Sequence, residues 1–254
     1  MTRPYLVGNW KMNTTLEEAQ ALARNAVELG NLHGSSVDIG IAPPYPWLVS
    51  LADVIEGSAV RLGAQDIAAT DNGAHTGDVS ASMIAPYCSF TIIGHSERRT
   101  HHGETDETVK AKIGRAFAAG LDVILCVGET AGEREAGQAK VVVDRQLQGA
   151  LDGMSATDMA RLTIAYEPVW AIGTGVAATP DDAAEMSRFI RDTLVGKMGK
   201  VAADIRILYG GSANESNAGS FLAAEAVDGL LIGGASLKIP AFSAIIEAAA
   251  RRDG

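Results

Sequence analysis

Asp122-Val123-Ile124-Leu125-Cys126-Val127 sets five apolar residues in a row behind one aspartate, with no alternation of polar and apolar side chains. A strand with one wet face would alternate. An unbroken apolar run suits a strand buried on both faces, as in a parallel sheet covered on each side. Seven runs of the same short, β-branched or aliphatic kind accompany it, at residues 5–7, 37–42, 59–64, 90–93, 161–166, 205–209 and 228–232. Consecutive runs start 22 to 44 residues apart, room each time for a crossover helix and two loops.

The intervening segments supply those helices. Thr15-Leu16-Glu17-Glu18 reads as a capping box opening a helix with Leu22, Ala26 and Leu29 on one face and Gly30 as its stop. Thr179-Pro180-Asp181-Asp182 pairs an N-cap with proline at the first helical position, and Met186, Phe189, Ile190 and Leu194 continue an apolar face. Residues 104–119 form a helix ended by Gly120, and residues 237–249 an alanine-rich one. No linker or low-complexity stretch divides the chain. The even repetition predicts a closed (β/α)8 barrel over residues 1–254, a single α/β domain, rather than a doubly wound open sheet. An open dinucleotide fold would carry a Gly-x-Gly-x-x-Gly turn directly after its first strand, where Gly8-Asn9-Trp10-Lys11 stands instead.

Composition narrows the function. The 254 residues include 28 glycines, 47% are hydrophobic and only 5% aromatic, so the core is aliphatic and disorder is excluded. A net charge of −10 and the lack of a basic stripe argue against nucleic acid. Cys88 and Cys126 lie in apolar surroundings without zinc-type spacing, which reads as two buried free thiols in a reducing compartment, the cytoplasm. Met1-Thr2-Arg3-Pro4 opens no signal sequence, and no apolar stretch reaches the roughly 18 residues of a membrane span.

In a barrel of parallel strands, chemistry gathers at the C-terminal strand ends. The first run leads into Asn9 and Lys11, the third into Gln65, the fourth into His95-Ser96-Glu97 and the sixth into Glu167. The seventh opens onto Gly210-Gly211-Ser212 and the eighth onto Gly233-Gly234-Ala235-Ser236. Taken singly, Glu167 reads equally as an ion-pair partner, His95 as a strand-end histidine, Lys11 as a solvated loop lysine and the glycines as turns. Together on one rim they have a definite capability: enolising a phosphorylated carbonyl compound. A carboxylate removes a proton beside a carbonyl, preset donors or a cation meet the oxyanion, and glycine turns aim bare N–H groups at a phosphate. Adjacent His101 and His102 diverge, so a metal site with His95 is not expected.

At these residues the sequence resembles the triosephosphate isomerase family along essentially its whole length. The resemblance is carried by Gly8-Asn9-Trp10-Lys11-Met12-Asn13, by Gly94-His95-Ser96-Glu97-Arg98-Arg99 and by the run from Ala165 through Glu167-Pro168-Val169-Trp170 to Gly175. Tyr209-Gly210-Gly211-Ser212 and Gly233-Gly234-Ala235-Ser236-Leu237 complete it, in order. It implies interconversion of dihydroxyacetone phosphate and D-glyceraldehyde 3-phosphate without cofactor or metal. It implies Glu167 as the base, His95 as the electrophile, Lys11 as the cation beside the substrate with Asn9 helping to hold it, and Glu97 in support. Ser212, Gly233, Gly234 and Gly173 would grip the phosphate, under a lid over residues 168–174. It also implies a homodimer through residues 65–78, Gln65 to Asp78, with Thr76 near the neighbour's site. His75 stands where the family commonly has an aromatic residue, and Val176 where a lysine often follows the lid. A catalytically silent phospholigand-binding barrel is the competing reading; it predicts loss of base, electrophile or cation, and all three are present.

Overall fold

The computed structural model describes residues 3–172 and 178–252. The strands are β1 (Tyr5–Asn9), β2 (Asp38–Ala42), β3 (Arg61–Ala64), β4 (Phe90–Ile93), β5 (Asp122–Val127), β6 (Leu162–Tyr166), β7 (Arg206–Tyr209) and β8 (Gly229–Ile232). All pair in parallel with their sequence neighbours, and β8 pairs back onto β1 to close the barrel. Every expected strand is present, with some ends moved by one or two residues. The helices are α1 (Leu16–His33), α2 (Leu48–Ile55), α3 (Ala81–Ile84), α4 (Ser96–His102), α5 (Asp106–Ala118) and α6 (Ala131–Glu135). They continue as α7 (Ala139–Leu151), α8 (Ala156–Met159), α9 (Pro180–Met198), α10 (Ala218–Ala223) and α11 (Ile239–Ala250).

The unbroken apolar character of β5 has a simple cause. Ile124 and Cys126 point inward, where they meet Tyr5, Val7, Phe90, Ala165, Leu208 and Leu231 in the barrel interior. Val123, Leu125 and Val127 point outward into the layer between sheet and helices. Both faces are dry, so both must be apolar.

Three helix boundaries depart from expectation. Gly30 does not stop α1, which runs on to His33; Gly30 is buried, and a Cβ there would sit 3.2 Å from Val60 Cγ2, so its smallness serves close packing. The helix expected from Glu104 starts at Asp106, because Thr105 caps it and the Glu104 side chain turns inward to Arg98 and Lys112. Residues Gly234–Leu237 form a separate 3-10 turn, and α11 begins only at Ile239, with Pro240 in its first turn. The Thr15–Glu18 and Thr179–Asp182 capping boxes are both formed.

The N-terminal end of the barrel is closed by charge. Asp38 binds Arg3 (3.0 Å) and Arg206 (2.6 Å), and Asp122 binds Arg61 (2.6 Å) and Arg161 (3.3 Å). The Arg61 and Arg206 guanidinium groups lie over the Tyr5 ring at 5.6 and 4.4 Å. With that end sealed, the opposite rim is left for chemistry.

Candidate active site

A cavity of about 370 Å³ opens at the C-terminal rim. Asn9, Lys11, His95, Glu97, Glu167, Ser212, Gly233 and Gly234 all line it, drawn from the ends of β1, β4, β6, β7 and β8. The structure thus brings together every expected site residue but one. Gly173 lies outside the described residues, as do Thr174, Gly175 and Val176.

Lys11 follows β1 in a left-handed conformation (φ 52°), which a residue with a Cβ seldom adopts. The surroundings hold it there. Its N–H donates to Asn9 Oδ1 (3.1 Å), and its carbonyl accepts from Gln65 Nε2 (2.8 Å), which also donates to the Ala42 carbonyl (2.9 Å). The ammonium enters the cavity and meets Glu97 Oε1 at 2.5 Å. Asn9 therefore acts on Lys11, and Gln65 has a site-building role that its strand-end position alone did not reveal.

His95 caps α4. Gly94 turns the chain out of β4 with φ 73°, and His95 Nδ1 then accepts the N–H of Glu97 (3.2 Å) at the first turn of that helix. A nitrogen that accepts an N–H carries no proton, so the neutral ring bears its hydrogen on Nε2. Nε2 lies 2.9 Å from Glu167 Oε1. The other carboxylate oxygen, Oε2, accepts the Ser96 N–H at 2.8 Å.

Both partners are buried, Glu167 at 1% exposure and His95 at 6%. Burial pushes the Glu167 carboxyl up, yet the His95 imidazole and the Ser96 N–H outweigh it and hold the group below the ordinary glutamate value. Burial pushes His95 down, while the charge and contact of Glu167 outweigh it and leave the ring above its ordinary value in this pairing. Protonating Nδ1 would break the Glu97 N–H bond and set a cation at a helix N-terminus. The arrangement is an ionised carboxylate held ready beside an Nε2–H donor, with an ammonium across the cavity.

Glycines at the rim make room. A Cβ on Gly210 would come 2.9 Å from Glu167 Cγ, and one on Gly211 would overlap the Tyr209 hydroxyl at 2.2 Å. Gly233 stands beside Lys11, with 3.5 Å from its would-be Cβ to Lys11 Cε. Ser212 Oγ is engaged with the Ala171 carbonyl (2.8 Å).

Glu129 belongs to this region and the sequence reading passed over it. Fully buried, it accepts from Trp170 Nε1 (2.7 Å) and the Tyr166 hydroxyl (3.1 Å), anchoring the chain that leaves Glu167. Trp170 is accordingly half-buried against the core in a short 3-10 turn, Val169–Ala171. The signal was available: Gly128-Glu129 follows β5 as His95 follows β4. Among the described residues no group of three or more His, Cys, Asp or Glu is arranged to hold a metal ion. Among them, too, no helix is long and apolar enough to cross a membrane.

Residues 4–249 match the family model described as triosephosphate isomerase. The triosephosphate isomerase of Chlorobium luteolum is 50% identical over 250 residues, covering 98% of this chain and 99% of its own. That of Carboxydothermus hydrogenoformans is 47% identical over 250 residues, covering 97% and 99%. The crystal structure of triosephosphate isomerase from Bartonella henselae matches with a TM-score of 0.88 at 41% identity, covering 97% of this chain and 98% of that one.

Proposed function

The chain belongs to the triosephosphate isomerase family, and from that premise we propose how its own residues divide the chemistry. The enzyme interconverts dihydroxyacetone phosphate and D-glyceraldehyde 3-phosphate, a step of glycolysis and gluconeogenesis. The two compounds differ by the place of one carbon-bound hydrogen and one carbonyl.

Glu167 takes the proton from C1 of the ketone. The C–H electrons become the C1–C2 double bond, and the carbonyl oxygen takes the negative charge. His95 Nε2–H and the Lys11 ammonium meet that charge as it develops, as donors set in place before the reaction. A proton passes between the two oxygens of the enediol, and Glu167 returns its own proton to C2. When the carboxylate turns to carbon, its upward pull on His95 is withdrawn; burial and the helix N-terminus then keep the ring neutral.

Glu97 supports both partners, since its carboxylate holds Lys11 and its N–H holds His95 Nδ1. Asn9 acts through the Lys11 backbone. Ser212, Gly233 and Gly234 receive the phosphate, joined by Gly173 on the family's pattern. The −10 net charge does not oppose an anionic substrate, because aimed N–H groups and Lys11 set the local field.

The observation that carries this assignment is the 2.9 Å approach of Glu167 Oε1 to His95 Nε2 in the cavity that Lys11 enters. The test is turnover of D-glyceraldehyde 3-phosphate in a coupled assay. Glu167→Gln is expected to lose more than about a thousandfold in kcat while binding glycerol 3-phosphate as the native protein does. Native-like kcat in that variant would overturn the assignment of the base.

Residues 1–254 act as one barrel domain, and the enzyme is a homodimer in the cytoplasm. Support for the dimer lies beside the site: Met12 is 96% exposed next to Lys11, and Met83 and Tyr87 are exposed as well. Residues 65–78 form a long segment without helix or strand whose tip is exposed. A second copy covering Met12 would also seal the Lys11 side of the cavity. Free, buried Cys88 and Cys126 fit a reducing compartment.

A further inference from the structure

Gln146 is a polar residue in an apolar stripe. It lies on α7 among Val142, Val143, Leu147 and Ala150, all buried, and is itself 4% exposed. Packing alone would favour leucine there. Its amide instead makes two hydrogen bonds to one residue: Oε1 accepts the Gly128 N–H (2.8 Å) and Nε2 donates to the Gly128 carbonyl (3.1 Å).

The end of the sheet explains why Gly128 needs this partner. Glu167 N–H donates to the Val127 carbonyl (2.8 Å) and Val169 N–H to the Glu129 carbonyl (3.1 Å), so residues 127 and 129 face β6 and the chain beyond it. In a parallel ladder the residue between them presents its N–H and C=O to the opposite neighbour. That neighbour is β4, which ends at Ile93 and turns away at Gly94 into α4. The amide of Gln146 takes the place of the missing strand. One step lower, the Cys126 carbonyl accepts from Arg99 Nη2 (3.5 Å) in the same gap.

Gly128 also touches the base's own backbone. A Cβ at Gly128 would stand 1.7 Å from the Glu167 carbonyl oxygen. Where Gly128 sits therefore sets where the Glu167 main chain sits. We infer that Gln146 is a positioning residue for the isomerisation: by holding Gly128 at both its N–H and its C=O, it fixes the backbone from which the Glu167 carboxylate reaches the substrate carbon. This rests on the reading of Glu167 as the base.

The test replaces Gln146 by methionine, which keeps length and bulk but forms neither bond. Misplacement of a reacting group by a fraction of an ångström to one ångström costs on the order of 10- to 100-fold in rate. Gln146→Met is expected to lose that much kcat, with KM for D-glyceraldehyde 3-phosphate and Kd for glycerol 3-phosphate within about twofold of native. Gln146→Glu is the conservative partner. Its protonated acid can replace both bonds, whereas the ionised form can only accept. Its kcat relative to native is expected to fall as pH rises through the titration of the new carboxyl, which burial raises and the Arg99 guanidinium in the same gap lowers.

Gln146→Met with native kcat overturns the inference, as does a folded variant in which kcat, KM and Kd shift together. If Gln146→Met does not fold, Gln146→Glu decides: a ratio to native that falls with pH supports positioning, and a flat ratio overturns it. Glu167→Asp separates the two readings. Native kcat in that variant defeats the assignment of the base; a loss there, with Gln146→Met at native kcat, defeats only the role of Gln146.

Discussion

Glu167 and His95, both buried, sit 2.9 Å apart, and their pairing has a pH signature. The Glu167 carboxyl is held below its unfolded value. Its contribution to stability is thus fully present above the unfolded pKa of about 4.3 and is lost as pH falls through the lower folded value. Melting temperature followed from about pH 6 down to about pH 3 is expected to fall more steeply for the native protein than for Glu167→Gln; parallel curves would contradict this. The thiols give a second prediction. Burial pushes Cys88 up to about 12, and Cys126 is raised too, by burial and then by the charge of Glu167. Neither is expected to react with iodoacetamide in the folded protein at about pH 8, since only a thiolate attacks, and both should react on denaturation. Mass spectrometry of the intact chain reads the adducts. Asn9, Lys11, His95, Glu97 and Glu167 were legible because each lies at the C-terminal end of an apolar strand or within four residues of it. Gln65 on Lys11 and Gln146 on Gly128 were not, because those contacts join segments 54 and 18 residues apart that only the closed barrel brings together.

Among the elements, caps were the most readable feature, since a capping box is a local contract between residues three apart. The predicted box at Thr15 forms, the predicted N-cap at Thr179 proves to be a box as well, and Thr15→Ala and Thr179→Ala should each cost about 1 kcal/mol by urea denaturation. Less than about 0.3 kcal/mol would show that the box contributes little beyond solvent exposure. Thr179 has the larger consequence, because Asp182, which completes its box, also binds Arg134 at 2.5 Å, and Arg134 lies 4.2 Å over the Trp170 ring. Gly30 was misread because glycine in sequence signals either a stop or a close approach. Val60 against α1 makes it the second, a fact about tertiary packing. The late start of α11 has a similar origin: Ser236 turns back to the Gly233 carbonyl through both its N–H (2.9 Å) and its hydroxyl (2.7 Å), forming the 3-10 turn at the rim.

On the scale of the molecule, the strand spacing and the doubly apolar strands made the barrel legible before any motif was considered. What the spacing leaves open is which end works. Interleaved arginines and aspartates close the N-terminal end, and the polar groups of the opposite rim converge on one cavity. The exposed Met12 makes oligomeric state a test of the whole: light scattering should give twice the chain mass. Met12→Glu should shift the protein toward single chains with at least about tenfold lower kcat, because burying an unpaired charge at an interface costs several kcal/mol. A single-chain native protein with full activity would refute the dimer. The central claim, proton transfer by Glu167, is tested most directly by hydrogen exchange. Dihydroxyacetone phosphate incubated with enzyme in D2O and followed by proton NMR should acquire deuterium at C1, and recovered aldehyde should carry it at C2. The same incubation with Glu167→Gln should show neither within many native half-times. Turnover by the native enzyme without deuterium uptake, or uptake undiminished in Glu167→Gln, would contradict the account.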